Sequence, residues 1–324
     1  MVTMLDVARR AGVTKQTVSN VINGRTWVSP KTRAKVESAI AELNFVPNLV
    51  ARSLATGSTQ TVGFIVPSLA ATFYAEMVEE VGDILDEQNY HLLIASTHHD
   101  SARCARHLLS LTGRSVDGVL IADDGTYPDN QPAVNFPIVM CARESEAPIA
   151  LPVVTIDYEH AGFLAGRHLA ELGHRRVGMV SEHTRRVAGC RRALGDAEID
   201  VIEVGESTER SVGYDAAMAA LTRKPRPTAL FATTDVLALG AIDAAARLGL
   251  RVPEDVSVVG LDDISESRSH HPALTTVAFP KREMAREAIK LLLRAVENGE
   301  PPPDGVTLLR TRLMDRASSG PAPA

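Results

Sequence analysis

Two periodicities divide the chain. Up to residue 46, apolar side chains recur at helical spacing in short segments; from Thr61 onward, compact apolar runs alternate with longer amphipathic stretches. In the first part Thr3 has the character of an N-cap. Asp6 is placed to complete a capping box, and the helix so opened carries Leu5, Val7, Ala8 and Ala11 as far as Gly12. Thr14 is expected to cap a second helix, Lys15 to Asn23, with Val18, Val21 and Ile22 facing inward and Gly24 ending it. Ser29 caps a third. Pro30 there takes the first helical position, where a missing N–H costs nothing, and Val36, Ile40 and Leu43 follow at helical spacing. The Pro47-Asn48 step starts a fourth short segment, Asn48 to Ala55, which Gly57-Ser58 closes.

The runs Val62–Val66, His91–Ala95, Val116–Ile121, Ile138–Cys141, Val153–Ile156, Val177–Val180, Ala229–Phe231 and Val256–Leu261 read as strands, with helices between them. Strands alternating with helices imply parallel sheets built from βαβ units, and these are too many for one simple sheet, so two lobes are expected. The chain therefore divides into a helical headpiece, 1–46; a hinge and linker, 47–60; a two-lobed α/β body, 61–316; and a Ser/Gly/Pro/Ala tail, 317–324, expected to be disordered.

The net charge of −6 argues against a nucleic-acid binder until its distribution is considered: residues 1–60 carry +5, leaving −11 for the remainder. A small basic head on an acidic body is the electrostatic footprint of a DNA-reading module attached to something else. Three well-separated cysteines, Cys104, Cys141 and Cys190, point to a reducing compartment rather than a disulfide framework. No apolar run is long enough to span a bilayer, and the start shows no basic segment followed by an apolar one; a cytoplasmic protein is expected.

The spacing of Ala8, Gly12, Val18 and Val21 has a mechanical logic: a small residue where two helices cross, a glycine for the turn, and two valines sealing the pair. The second helix would then present its N-terminal side chains to the major groove, as in a helix-turn-helix. The segment "MLDVARRAGVTKQTVSNVINGRTWVSPKTRAKVESAIAELNFVPNLVARSLATG" closely resembles the headpiece of the LacI/GalR family of repressors. The resemblance continues through "TVGFIVPS", "VDGVLIA", "IDYEHAGFLAGRHLAELGHRRVGMV", "PTALFATTDVLALGAIDAAARLGLRVPEDVSVVGLDD" and "PALTTVAFP", so it covers nearly all of residues 4–315. It implies a body like that of periplasmic sugar-binding proteins, two α/β lobes joined by crossover strands with a ligand between them. It also implies a homodimer reading near-palindromic double-stranded operator DNA.

By that resemblance Lys15 and Gln16 read bases, with Asn20 one turn later. The chemistry suits the task, since Gln and Asn can bond adenine bidentately and Lys can donate to guanine. Thr14, Thr17 and Asn23 are short polar groups fit for phosphate contacts. The segment Asn48–Ala55, too short to be a stable helix alone, is implied to fold on the operator. Val50, Ala51, Arg52 and Ala55 would belong to the paired hinge, and Leu54 would be wedged into the central base step.

The effector residues implied are Phe73 and Tyr74 after the first strand, Arg186, Thr234, and Asp262 at the end of Val256–Leu261, all at C-terminal strand ends. Arg186 can clamp hydroxyls or a carboxylate; an ion pair between lobes is the alternative for Arg186 and Asp262. The chain departs from the family at Ala142, where Asp is common, and at Thr234, where Asn is common. A short loop, Ser181 to Arg185, precedes Arg186, and the helix after it, Val187 to Ala197, also looks shortened. The effector expected is a sugar-like or other polar metabolite; these departures weaken the case for ordinary hexose recognition, and the alternative is a degenerate cleft or a non-sugar ligand. A solute-binding protein and an enzyme are the other classes. The headpiece speaks against the first, and the lack of a glycine-rich phosphate loop against the second. Neither a metal nor a cofactor is expected: His98-His99 and His270-His271 are adjacent pairs, and Asp262-Asp263 point apart on a strand end.

Overall fold

The structure is a computed structural model. It describes residues 2–22, 27–46, 57–113, 116–123, 125, 127, 128, 130, 132–142, 144, 149–181, 184–204 and 209–323. The chain separates into two compact units, Met1–Gln60 and Thr61–Ala324.

The first unit is built on α1 (Met4–Ala11), α2 (Lys15–Ile22) and α3 (Pro30–Glu42). Thr3 and Asp6 form the reciprocal capping box, and Gly12 ends α1 at φ 67°, a left-handed conformation that glycine adopts without strain. Ser29 caps α3 with Pro30 in its first turn. Val7, Ala8, Val18, Val21, Val36, Ala39 and Phe45 form one buried core. Leu5, assigned to the helix face from its apolar character, is 47% exposed. In eight residues α1 already fills its inward face with Val7 and Ala8. Phe45, beyond the end of α3, was not anticipated in the core. The segment Asn48–Ala55 and residue Asn23 lie outside the described residues.

The second unit has two six-stranded sheets, one parallel and one parallel but for a single edge strand. The first lobe contains β1 (Thr61–Val66), α4 (Thr72–Glu87), β2 (His91–Ser96), α5 (Ser101–Leu111), β3 (Gly118–Ala122), β4 (Ile138–Cys141) and β5 (Pro152–Ile156). The second contains α6 (Tyr158–Glu171), β6 (Arg176–Ser181), α7 (Thr184–Leu194), β7 (Glu198–Glu203), α8 (Arg210–Leu221), β8 (Ala229–Ala232), α9 (Asp235–Arg247), β9 (Ser257–Asp262), α10 (Ser265–Ser269) and β10 (Thr275–Ala278). The chain then returns to the first lobe as α11 (Lys281–Asn298) and β11 (Gly305–Leu309), and finishes in the second with β12 (Arg312–Met314). Sheet orders are β11-β5-β4-β3-β1-β2 and β12-β10-β9-β8-β6-β7; only β12 runs antiparallel, against β10. The chain thus crosses between lobes at Asp157, at Phe279-Pro280 and at Arg310-Thr311. In both sheets the strand order reverses beside the first strand, β1 or β6, which opens a crevice at the carboxyl ends.

The tail corrects the expectation of disorder. Ser318 is fully buried; its hydroxyl donates to the Val258 carbonyl (2.6 Å) and accepts from the Thr275 amide (2.8 Å). The Gly320 carbonyl faces His174 Nε2 at 3.1 Å, and the Ala322 amide donates to the Leu172 carbonyl. Small residues that cannot build a core alone let the tail lie flat against strand ends whose polar groups need partners. The body therefore extends past residue 316.

His174 is fully buried, with Nδ1 on the Thr228 hydroxyl (2.9 Å) and Nε2 shared by Ser257 and Gly320. Burial, reinforced by the neighbouring His168 against the opposing pull of the Gly320 carbonyl, lowers its pKa below the ordinary imidazole value. A lowered folded-state pKa means that the folded state binds fewer protons. The stability it contributes is present above the unfolded value of about 6.5 and is lost as pH falls through it towards the folded value. Urea unfolding should show the midpoint falling with acidification across this window, and His174→Gln should flatten that slope. Ser318→Ala should cost about 1–3 kcal/mol at neutral pH, because it strands a buried amide donor.

Candidate nucleic-acid interface and interlobe cleft

In the first unit, packing Val18 and Val21 inward turns the start of α2 outward. Lys15 and Gln16 are exposed, and Gln16 Nε2 donates to Asn20 Oδ1 (3.3 Å) one turn on. The structure therefore brings Gln16 and Asn20 to one polar face with Lys15 beside them. Thr14 accepts from the Thr17 amide and lies 2.9 Å from the Thr17 hydroxyl. An ion pair from Arg10 to Glu42 ties α1 to α3, and Arg33 donates to the Val21 carbonyl near the end of α2. The outcome is a helix packed on its apolar side, with a polar, partly basic outer edge. Val50, Ala51, Arg52, Leu54 and Ala55 lie outside the described residues.

In the second unit Phe73, Tyr74 and Arg186 lie where the lobes face each other, and Asp262 lies at a crossing point held by Lys281. Phe73 and Tyr74 occupy the first turn of α4. Phe73 stacks edge-on against Tyr74 (centroids 5.2 Å apart) and Phe279 (4.9 Å), and packs against the cores of both lobes. Arg186 is buried within α7, which begins at Thr184, earlier than the expected Val187. Its guanidinium donates to the Thr233 carbonyl, lies over the Tyr158 ring (4.7 Å) and pairs with Glu144 across the cleft (3.0 Å). Burial works against its charge, but Glu144, then Asp262, Tyr158 and Tyr74, outweigh it and raise its pKa. Tyr158 donates to the Ala142 carbonyl in the first lobe (2.9 Å), and burial pushes its phenol upward. Thr234 caps α9, accepting from the Leu237 amide.

Asp262 ends β9 at φ 134°, followed by Asp263 at φ 52°, both in conformations that side chains disfavour. Asp263 pairs with Arg268 (3.0 Å) and Arg316 (2.5 Å). Lys281 holds the turn, donating to the carbonyls of Asp262 (2.7 Å) and Asp263 (3.0 Å) and pairing with Glu76 (3.0 Å). Fully buried Asp235 accepts from Thr276, Ser267 and the Ile264 amide, and burial raises its pKa against those donors.

Sequence reasoning passed over Glu144, Tyr158, Lys281 and Asp235. The signals were single polar residues at strand-to-helix junctions: a lysine directly after "AFP", and an aspartate opening the apolar helix "DVLALGAI".

The arrangement defines a class: a helix-turn-helix headpiece joined to a two-lobed body of the kind that closes on small molecules. Residues 3–48 match the bacterial regulatory proteins of the lacI family, and residues 167–319 match a periplasmic binding protein-like domain. The HTH-type transcriptional repressor PurR of Proteus mirabilis (strain HI4320) is 37% identical over 338 residues, covering 100% of this chain and 98% of the relative. PurR of Yersinia pestis bv. Antiqua (strain Antiqua) is 36% identical over the same span. Among solved structures, the lac repressor dimer bound to operator and the anti-inducer ONPF superposes with a TM-score of 0.83 at 28% identity, over 98% of this chain and 99% of that one. A CelR–cellobiose complex matches at TM-score 0.69 and 32% identity, over 98% and 100%. The chain belongs to the LacI family and is a DNA-binding transcription regulator.

The position of Arg186 depends on two glycines. A Cβ on Gly162 of α6 would sit 1.9 Å from the Arg186 carbonyl, and one on Gly189 of α7 would sit 1.8 Å from the Glu159 carbonyl. Gly189→Ala should push α7 off α6, costing about 1–3 kcal/mol or more as an overpacked contact. Urea unfolding checks the cost, and a crystal structure of the variant should show Arg186 displaced from Tyr158.

Proposed function

We propose that this protein is a cytoplasmic, homodimeric repressor that reads a near-palindromic operator and answers to a small polar molecule in its cleft. The observation that carries the reading is the outward polar face of α2, Lys15, Gln16 and Asn20, held over a packed three-helix core. These side chains have the donors and acceptors that base edges in the major groove demand. Thr14, Thr17 and Asn23 contact phosphates. The segment with Val50, Ala51, Arg52, Leu54 and Ala55 orders on the duplex, with Leu54 as wedge. One headpiece offers few base contacts, so two half-sites are read by a two-fold dimer; the solved lac repressor on operator is a dimer. CelR is solved with cellobiose and the lac repressor with ONPF, which supports a small-molecule role for Phe73, Tyr74, Arg186, Thr234 and Asp262 here.

A second reading keeps the DNA binding and removes the regulation. Two observations favour it: Arg186 is already paired with Glu144, and the Thr234 hydroxyl is engaged in capping. The readings differ in linkage. If effector and operator are coupled, each changes the other's affinity by the same factor; in the second reading operator has no effect on the cleft.

Gel shifts on genomic fragments over a range of salt should show a steep loss of affinity with salt, as phosphate neutralisation requires. Gln16→Ala should relax specificity at one position of each half-site, by about 1–3 kcal/mol. Unchanged base preferences in that variant would remove α2 as the reading helix.

A further inference from the structure

A buried guanidinium keeps its charge at any physiological pH, so whatever fills the cleft has to answer that charge. Arg186 is only 7% exposed, and its three nitrogens are used unequally. Nη1 donates to the Thr233 carbonyl, Nη2 meets Glu144 at 3.0 Å, and Nε is buried with no hydrogen-bond partner among the described residues. Nε and Nη2 form the side-on edge of the guanidinium, which suits the two oxygens of one carboxylate. Glu144 reaches that edge at Nη2. It does so from the other lobe, following β4, while Arg186 stands on α7.

We propose that Glu144 is a built-in occupant of the effector site: its carboxylate sits on Arg186 where a carboxylate of the effector sits when bound. The proposal rests on reading the cleft as the effector site and narrows the ligand class. A neutral sugar that displaced Glu144 would remove a buried counter-charge. A small carboxylate restores it and fills the Nε–Nη2 edge as well. Asp262, buried at the end of β9 in the same lobe as Arg186, then favours hydroxyl or amino donors elsewhere on the same molecule, the pattern of a hydroxy acid or an amino acid. Because the Glu144–Arg186 pair spans the lobes, the exchange also removes one contact between them. A bound ligand thereby biases the lobe arrangement through its differential affinity.

The test is chemical replacement in the full-length protein, read by thermal unfolding without DNA. In Glu144→Ala, sodium acetate should raise the unfolding midpoint in a saturable way over sodium chloride at equal ionic strength. The wild type should show no saturable rise, and the double variant Glu144→Ala/Arg186→Ala should lose it. Should Glu144→Ala fail to fold, Glu144→Gln keeps the shape and loses the charge. It should show the same acetate response in smaller amplitude. Equal effects of acetate and chloride, or an acetate response that survives loss of Arg186, would overturn the proposal. A phosphate response as large as that to acetate would overturn the carboxylate assignment. None of these outcomes bears on operator binding, so failure here leaves the gel-shift result standing or falling by itself.

Discussion

Burying an ammonium costs several kcal/mol unless its charge and all three of its protons are met. Lys281 meets them with the carbonyls of Asp262 and Asp263 and the carboxylate of Glu76. Those partners come from different places: β9 and the residue after it in the second lobe, and α4 in the first. The lysine stands where the chain re-enters the first lobe as α11, so a crossing point is fixed to both sides by one satisfied charge. The same two carbonyls belong to residues at φ 134° and 52°, a turn that would relax without a cation to hold it. The direction in which Asp262 leaves its strand is therefore set from outside β9.

Around that point, polar and apolar contacts divide the work. The edge-on cluster of Phe73, Tyr74 and Phe279 fills space between the lobes, and such contacts tolerate sliding. The charged and hydrogen-bonded contacts do not. Thr72 donates to Glu266, the Ser265 amide to Glu76, and Tyr158 to the Ala142 carbonyl. Each either forms in a given lobe arrangement or is lost. A molecule in the cleft that exchanges even one of them changes the relative stability of two arrangements by an amount comparable with a typical coupling energy, about 1–3 kcal/mol.

Most of the architecture could be read along the chain because caps and apolar runs are local signals. Thr3 with Asp6, Ser29 with Pro30, and the runs that became β1, β3, β4 and β5 announce themselves within a few residues. What could not be read depended on distant partners. Strand β7, "EIDVIE", is an edge strand of alternating polarity without an apolar run; β11 is largely exposed; β10 hides in a Thr-rich stretch that is buried because Asp235 and Ser318 await it. The tail is composed like a disordered segment, and only the strand ends and His174 beneath it give it a place. In the cleft, the family resemblance rather than any local pattern pointed to Arg186 and Asp262. The partner of Arg186 lay on the opposite lobe, beyond any local pattern.

The glycine-to-carbonyl contact between α6 and α7 has a consequence for how such a protein can diverge. With Gly162 and Gly189 leaving no room for a side chain, the backbone that carries Arg186 cannot shift to suit a new ligand without undoing a helix pair. The facing residue, Glu144, follows the end of β4 in the other lobe, apart from that helix pair. Mutational drift in ligand choice should thus accumulate on the Glu144 side of the cleft. Paralogues would be expected to keep an arginine anchor and vary what it greets.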